Sequence, residues 1–172
     1  MEIKQYEDKY KNQVIALVLF IQNYDNKVDL SLADQPDLKD IYANYIEGGG
    51  GFWIALNHND DVVGTIGLMK KKDGYGILKK FFVLWDYRGR NAGVSSGLYS
   101  KLLEQARREN IMHIVLDTPS ACHRAHAFYH RMGYRRIHKD ELPIQYDYPD
   151  RDSIIFITDL DKNHNEWDAP MK

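Results

Sequence analysis

Val14, Leu17, Val18 and Ile21 recur at intervals of three and four residues, so Lys9 to Asn23 is predicted as an amphipathic helix, its apolar face widened by Leu19 and Phe20. Before it, Glu2 to Tyr6 reads as a short strand, and after it Asp25 to Leu32 reads as a polar loop. Pro36 signals a helix start, and Leu38, Ile41, Tyr42 and Tyr45 suggest a second helix. That helix ends before four consecutive glycines, Gly48 to Gly51, expected to form a flexible turn into a sheet. Phe52 to Leu56 and Val62 to Met69 are apolar runs separated by the polar Asn57 to Asp61, the pattern of a hairpin. Tyr75 to Leu84 is the next strand. Gly93 to Glu109 carries Val94, Leu98 and Leu102 on one helical face. His113 to Asp117 is a buried strand, Ala121 to Met132 a helix stopped by Gly133, and Tyr134 to His138 a strand. Glu141 to Arg151 is a loop containing Pro143 and Pro149, and Ser153 to Thr158 is the last strand. Strand, helix and strand between Tyr75 and Asp117 make a βαβ unit, whose two strands run parallel. The order β-α-α-β-β-β-α-β-α-β-β is an α/β fold with a mixed sheet.

The chemistry concentrates where the βαβ unit turns from strand to helix. There the chain reads Arg88, Gly89, Arg90, Asn91, Ala92, Gly93, Val94 and Ser95. The first turn of a helix has unpaired N–H groups and the positive end of the dipole, a ready anion site. Gly89 and Gly93 let a ligand approach the backbone, and Arg88 and Arg90 supply charge suited to phosphate. The reading is a pyrophosphate cradle. No Gly-Lys-Ser/Thr follows, so it is not a Walker loop, and G-x-G-x-x-G is absent, so it is not a dinucleotide fingerprint.

Composition changes little in this picture. The 172 residues suffice for one domain with a core, expected over 1–160 with a polar tail over 161–172. Hydrophobic residues are 44% and charged residues 28%, and the net charge of −2 argues against a nucleic-acid partner. The single Cys122 permits no intrachain disulfide. No apolar run approaches the ~20 residues of a membrane helix, and Met1 to Lys4 lacks a signal peptide's apolar core. The expectation is a cytoplasmic protein with no membrane partner, compatible with a homodimer.

The loop resembles the acetyl-CoA loop of the GNAT superfamily of N-acetyltransferases, Gln/Arg-x-x-Gly-x-Gly/Ala, with Arg88 and Gly93 matching. Asn91 stands where the first glycine is usual, and asparagine tolerates positive φ better than most residues. A second stretch, Cys122 to Tyr134, is similar to the family's Asn-x-x-Ala-x-x-Phe-Tyr-x-x-x-Gly-Phe/Tyr, with Ala125, Phe128, Tyr129, Gly133 and Tyr134 in place and Cys122 for asparagine. The two motifs and the element order carry the resemblance from Val62 to Leu160. It implies a GNAT-like fold, a mainly antiparallel mixed sheet flanked by helices, and acetyl-CoA as co-substrate with no metal. It also implies transfer of the acetyl group to a primary amine by direct attack. Backbone N–H groups near Phe82, Val83 and Leu84 would polarise the thioester carbonyl, and Tyr129 would be the general acid for the departing thiolate. The cofactor would lie along Arg88 to Ser95, with Cys122 lining its arm and Arg124 adding charge. A non-catalytic acyl-CoA-binding regulatory or scaffold module is the alternative.

The base and the acceptor are less defined. Relatives of this type use a glutamate on the strand before the loop, where this chain has Ile77, with Lys79 and Lys80 beyond it. Asp117 and Glu47 are the candidate bases. His123, His126 and His130 share a helix face, and a hydrated surface outweighs a metal there. Trp53 and Trp85 are read as packing residues. The expected acceptor walls hold Asp25, Asp29, Asp34, Asp37, Asp40 and Glu47, then Asp140, Glu141, Asp147, Asp150 and Asp152. Such a field favours a cationic amine, on a small molecule or a peptide.

Overall fold

In the computed structural model the described residues are 1–148 and 152–160. The tail expected over 161–172, and Pro149, Asp150 and Arg151 of the loop, lie outside them. Seven strands form one sheet in the order β1-β2-β3-β4-β5-β7-β6. They are β1 (Glu2–Gln5), β2 (Gly51–Leu56), β3 (Val62–Lys70), β4 (Tyr75–Val83), β5 (His113–Pro119), β6 (Arg135–Ile137) and β7 (Ser153–Asp159). The helices are α1 (Lys11–Phe20), α2 (Val94–Arg108) and α3 (His123–Arg131). Among the described residues only the β4–β5 pair is parallel, as the βαβ reading requires.

One sheet face is covered by α2 and α3. Val94, Leu98, Leu102 and Leu103 of α2 meet Ile66, Leu68, Leu78 and Leu116 there. Each such buried aliphatic side chain stabilises the fold by about 1.5–3 kcal/mol. On the other face, α1 presents the expected Val14, Leu17, Val18 and Ile21 to Phe52, Ile54 and Leu56. Leu19 and Phe20 do not widen that core: Leu19 is half-buried, and Phe20 is exposed and stacks on Tyr24 at 5.2 Å. Beyond β4 the same face has a separate core, in which Ile77 and Val115 pack against Ile137, Ile144, Ile155 and Ile157.

The second expected helix is two short turns, Pro36–Lys39 and Tyr42–Ile46. Asp40 divides them. Its backbone is extended (φ −140°) and its carboxylate accepts the Ala43 N–H at 3.0 Å, a local bond that competes with helix continuation. Leu38, Ile41 and Tyr45 still reach the core. The four glycines are not a flexible turn throughout, because a Cβ on Gly50 would collide with the Leu68 carbonyl.

Candidate active site

Strands β4 and β5 pair only from Tyr75 to Ile77, opposite His113 to Val115. Past that point β5 pairs with β7 alone and β4 with β3 alone, so a gap opens between two parallel strands. A bulge in β4 widens it: Thr65 faces Phe82 and Gly67 faces Lys79, leaving Lys80 and Phe81 opposite Ile66. Such a bulge bends a strand and re-aims its side chains. Lys80 takes a left-handed φ of 54° there, and its carbonyl accepts the Thr65 hydroxyl at 2.6 Å.

Of the three expected backbone donors, one faces the gap. The Leu84 N–H donates to the Val63 carbonyl at 2.9 Å, and Phe82 is in register with Thr65 on β3. Adjacent residues of a strand direct their N–H groups to opposite edges, so the Val83 N–H points toward the side β5 has left. On that side the Val83 carbonyl accepts Arg88 Nε at 2.6 Å.

The loop from Arg88 to Gly93 is exposed except for half-buried Arg88. Its left-handed positions are Gly89 (φ 105°) and Gly93 (φ 65°), and a Cβ at either would meet nothing. Asn91 is not at positive φ, so the glycine usual in the family is not required by this backbone. Gly93 is the N-cap of α2. It has no side chain to bond the N–H groups of Val94, Ser95 and Ser96, and no acidic residue lies in that turn. Uncapped donors beside a Cβ-free approach fit the phosphates of coenzyme A. Arg90, Asn91 and Ala92 flank this turn in the open. The Arg88 guanidinium, expected at phosphate, instead braces the loop: beyond the Val83 carbonyl it pairs with Asp25 at 2.7 Å.

Trp85, read as a packing residue, is 63% exposed. Its ring lies between two guanidiniums, Arg88 at 5.4 Å and Arg124 at 4.8 Å. It thereby joins the loop to the start of α3. Trp53, by contrast, is a core residue. Phe128 crosses the gap edge-on to Phe81 at 5.3 Å.

Tyr129 is only 6% exposed. The neighbouring Tyr99 and Tyr134 bond each other's hydroxyls at 3.0 Å, whereas the Tyr129 hydroxyl has no partner among the described residues. No wholly buried polar side-chain atom among them lacks a partner, so this hydroxyl reaches open space. Burial pushes the phenol above its ordinary range, and the charges of Tyr99, Asp117 and Cys122 push the same way. Cys122 is half-buried at the N-cap of α3, about two helical turns before Tyr129.

Asp117 and Glu47 separate cleanly. Glu47 is exposed at the end of the sheet where Gly49 nears Lys70 and Glu109. The 15-residue α2 places that end about 20 Å from the loop. Asp117 lies two residues beyond Val115, the partner of Ile77, and so on the same face. The neighbouring strand thus supplies a carboxylate beside the position where β4 has isoleucine. Tyr146 donates to Asp117 at 3.0 Å. Burial pushes the Asp117 carboxyl up, against Lys79, Tyr146 and Lys80, which hold it down.

On the same face, Lys79 Nζ donates to the Asp147 carbonyl at 3.0 Å and lies 5.7 Å from the Tyr146 ring. Lys80, 8% exposed, donates to Gln35 Oε1 at 2.6 Å and pairs with Asp37 at 3.5 Å. Asp37 also accepts the Tyr45 hydroxyl. Two of the wall carboxylates meet cations, Asp25 with Arg88 and Asp37 with Lys80, while Asp34 accepts from Ser31 and Asp40 caps its own turn. Asp150 lies outside the described residues. Of the helix-face histidines, His123 and His126 meet edge-on at 5.7 Å. His126 bonds the Pro119 carbonyl at 3.0 Å, and His126 and His130 pack on Phe156. Among the described residues no three His, Cys, Asp or Glu gather as metal ligands, and no helix is long and apolar enough to cross a membrane.

Residues 19–134 match the acetyltransferase (GNAT) family. An N-acetylaspartate synthetase of Danio rerio is 31% identical over 69% of this chain and 43% of its own length. The chain spans about half the length of the curated relatives it matches. A crystal structure of an acetyltransferase from Streptococcus agalactiae is 39% identical, covers 92% of this chain and 98% of its own, and superposes with a TM-score of 0.87. The PaiA N-acetyltransferase of Thermoplasma acidophilum, solved with coenzyme A, shares the fold at 12% identity and a TM-score of 0.65, covering 92% of this chain and 98% of its own.

Proposed function

The chain belongs to the acetyltransferase (GNAT) family, and on that premise we propose that it transfers an acetyl group from acetyl-CoA to a primary amine in the gap between β4 and β5. The observation that carries the reading is the coincidence, at one gap, of an uncapped helix N-terminus, a gap-facing N–H and an unpartnered phenol. Acetyl-CoA supplies an activated acyl group on a thiolate leaving group. The first-turn N–H groups of α2, the backbone from Gly89 to Gly93 and Arg90 hold its phosphates. Arg88 holds the loop in place, Arg124 adds charge over Trp85, and Cys122 lines the channel. Val83 N–H donates to the thioester carbonyl as charge gathers on its oxygen. Asp117 takes the proton of the attacking amine, for which its upward displacement is favourable, since a base works best near the operating pH. Tyr129 keeps its proton until the thiolate forms, passes it to sulfur and regains one from the solvent that its hydroxyl reaches.

The acceptor is a primary amine of a small molecule or a peptide. A cationic one is favoured only so far as the wall carboxylates lack counter-ions, and Asp25 and Asp37 are paired with Arg88 and Lys80. Tyr129→Phe tests the assignment. Release of coenzyme A thiol should fall about 10²–10⁴-fold, while acetyl-CoA still raises the melting temperature. Full activity in this variant would remove Tyr129 from its role. A protein that binds acetyl-CoA and acetylates no amine would favour the non-catalytic module.

A further inference from the structure

Lys79 and Lys80 are two consecutive cations inside an otherwise apolar strand, and the bulge turns both toward the face away from α2. Lys79 meets the 146–147 segment there, and Lys80 meets Gln35 and Asp37. Asp117 opens onto the same face from β5. We propose that the acceptor carries a carboxylate beside its amine, and that Lys79 and Lys80 receive this carboxylate while the amine faces Asp117. The inference rests on the transferase reading and names its substrate class.

The first support is backbone strain. A side chain at left-handed φ costs about 1–2 kcal/mol, and the chain keeps lysine at residue 80, where glycine would avoid it. Such outliers persist where surrounding structure over-determines them, and they cluster at ligand sites. The surroundings here do so. Gln22 and Gln35 exchange amide bonds at 2.8 and 2.7 Å, and the fixed Gln35 oxygen then accepts Lys80. The ammonium is thus aimed in advance of any ligand.

The second support is charge. Two ammonium groups face Asp37 and Asp117 in this chamber. Asp37 divides its carboxylate between Tyr45 and Lys80, and burial pushes the Lys80 ammonium down as it pushes the Asp117 carboxyl up. Lys79 is bonded to a neutral carbonyl and a ring and forms no ion pair among the described residues, so a guest carboxylate meets an ammonium that lacks a counter-ion. The bland alternative is a Lys80–Asp37 staple. A buried ion pair is weak support for stability, since apolar side chains of similar volume often serve as well or better, and a staple gives no reason for Lys79.

The test compares leucine, phenylalanine and lysine with the amines left when each loses its α-carboxylate: isopentylamine, phenethylamine and cadaverine. The full chain is assayed with acetyl-CoA. The expected kcat/KM is at least about tenfold higher for each amino acid, the discrimination one good ionic contact supplies. Lys79→Met should abolish most of that difference while retaining the melting shift induced by acetyl-CoA. Without turnover, N-acetyl-leucine should raise the melting temperature of the protein with coenzyme A, and N-isopentylacetamide should not. Equal or higher kcat/KM for the decarboxylated amines, cadaverine above all, would overturn the inference, as would an unaltered preference in Lys79→Met. If acetyl-CoA itself causes no shift, the transferase reading has failed, and the N-acetyl-leucine arm decides the chamber by itself.

Discussion

On the cofactor side of the gap, the loop from Gly89 to Gly93 is exposed and leads into a first turn of α2 that no side chain caps. On the acceptor side, Lys80, Gln35 and Asp37 form a buried or nearly buried cluster whose side chains are already bonded to one another. The difference follows from what each must recognise. A phosphate is met by any run of free N–H groups at a helix start, so a short loop suffices and its side chains matter little. Asn91 illustrates this, standing at an ordinary φ where the family has glycine. An acceptor needs particular side chains in particular places, and these are held by a network drawn from Gln22, Gln35, Asp37, Tyr45, Lys80, Asp117 and Tyr146.

Substitutions on the two sides should therefore fail differently. The largest effect is expected at Asp117. Asp117→Asn should lower transfer about 10²-fold or more and remove the acid limb of the pH–rate profile, measured as thiol release between pH 4 and 9. In the parent, activity falls as pH drops through the raised Asp117 value, since the base is then protonated. Stability moves the other way. A carboxyl raised in the folded state binds its proton more tightly there than in the unfolded chain. Folding thus gains as pH falls from the raised value toward the ordinary 3.8, and Asp117→Asn should flatten that gain in urea titrations.

Next is Lys80→Met, which leaves Asp37 nearly buried and without its cation. Urea unfolding should show a loss of about 3 kcal/mol. Gly93→Val should be smaller and confined to the other side. It forces a branched side chain to a φ of 65°, which costs about 1–2 kcal/mol. Acetyl-CoA affinity should fall about tenfold by calorimetry, with the acceptor preference retained. Arg88→Ala should be the mildest, because its pair with Asp25 is partly exposed. The expected stability loss is below about 1 kcal/mol, with a few-fold loss in acetyl-CoA affinity from a looser loop. If Gly93→Val altered acceptor choice, or Lys80→Met altered only cofactor affinity, the division between the two sides would be wrong.

The same contrast explains what could be read from the chain. The cradle is contiguous, so Arg88 to Ser95 announced a strand–loop–helix anion site, and Phe128-Tyr129 came with it through a second local motif. The parallel β4–β5 pair and most strands followed from periodicity alone. The second helix was expected as one piece, and its break was not legible because Asp40 satisfies Ala43 locally, a competition that the spacing of Leu38, Ile41 and Tyr45 does not reveal. The pairing of Arg88 with Asp25 could not be read, because sequence shows its charge but not a partner 63 residues away. The acceptor chamber was illegible for a related reason: Lys80 meets Gln35 across 45 residues and Tyr146 meets Asp117 across 29. Its one visible trace was the Lys79-Lys80 doublet within an apolar strand. Acidic composition points to a cationic acceptor, and it counts carboxylates without showing which of them have partners.

The decisive observation is the melting temperature of the chain across an acetyl-CoA titration. At one hundred times its dissociation constant the ligand should add about 2.7 kcal/mol, or roughly 5–11 °C for a domain of this size. A saturable shift of that order, weakened in Gly93→Val and retained in Tyr129→Phe, is what a phosphate cradle at α2 requires. No shift at millimolar acetyl-CoA would mean that the uncapped helix start does not hold the cofactor, and the transferase reading would fall with it.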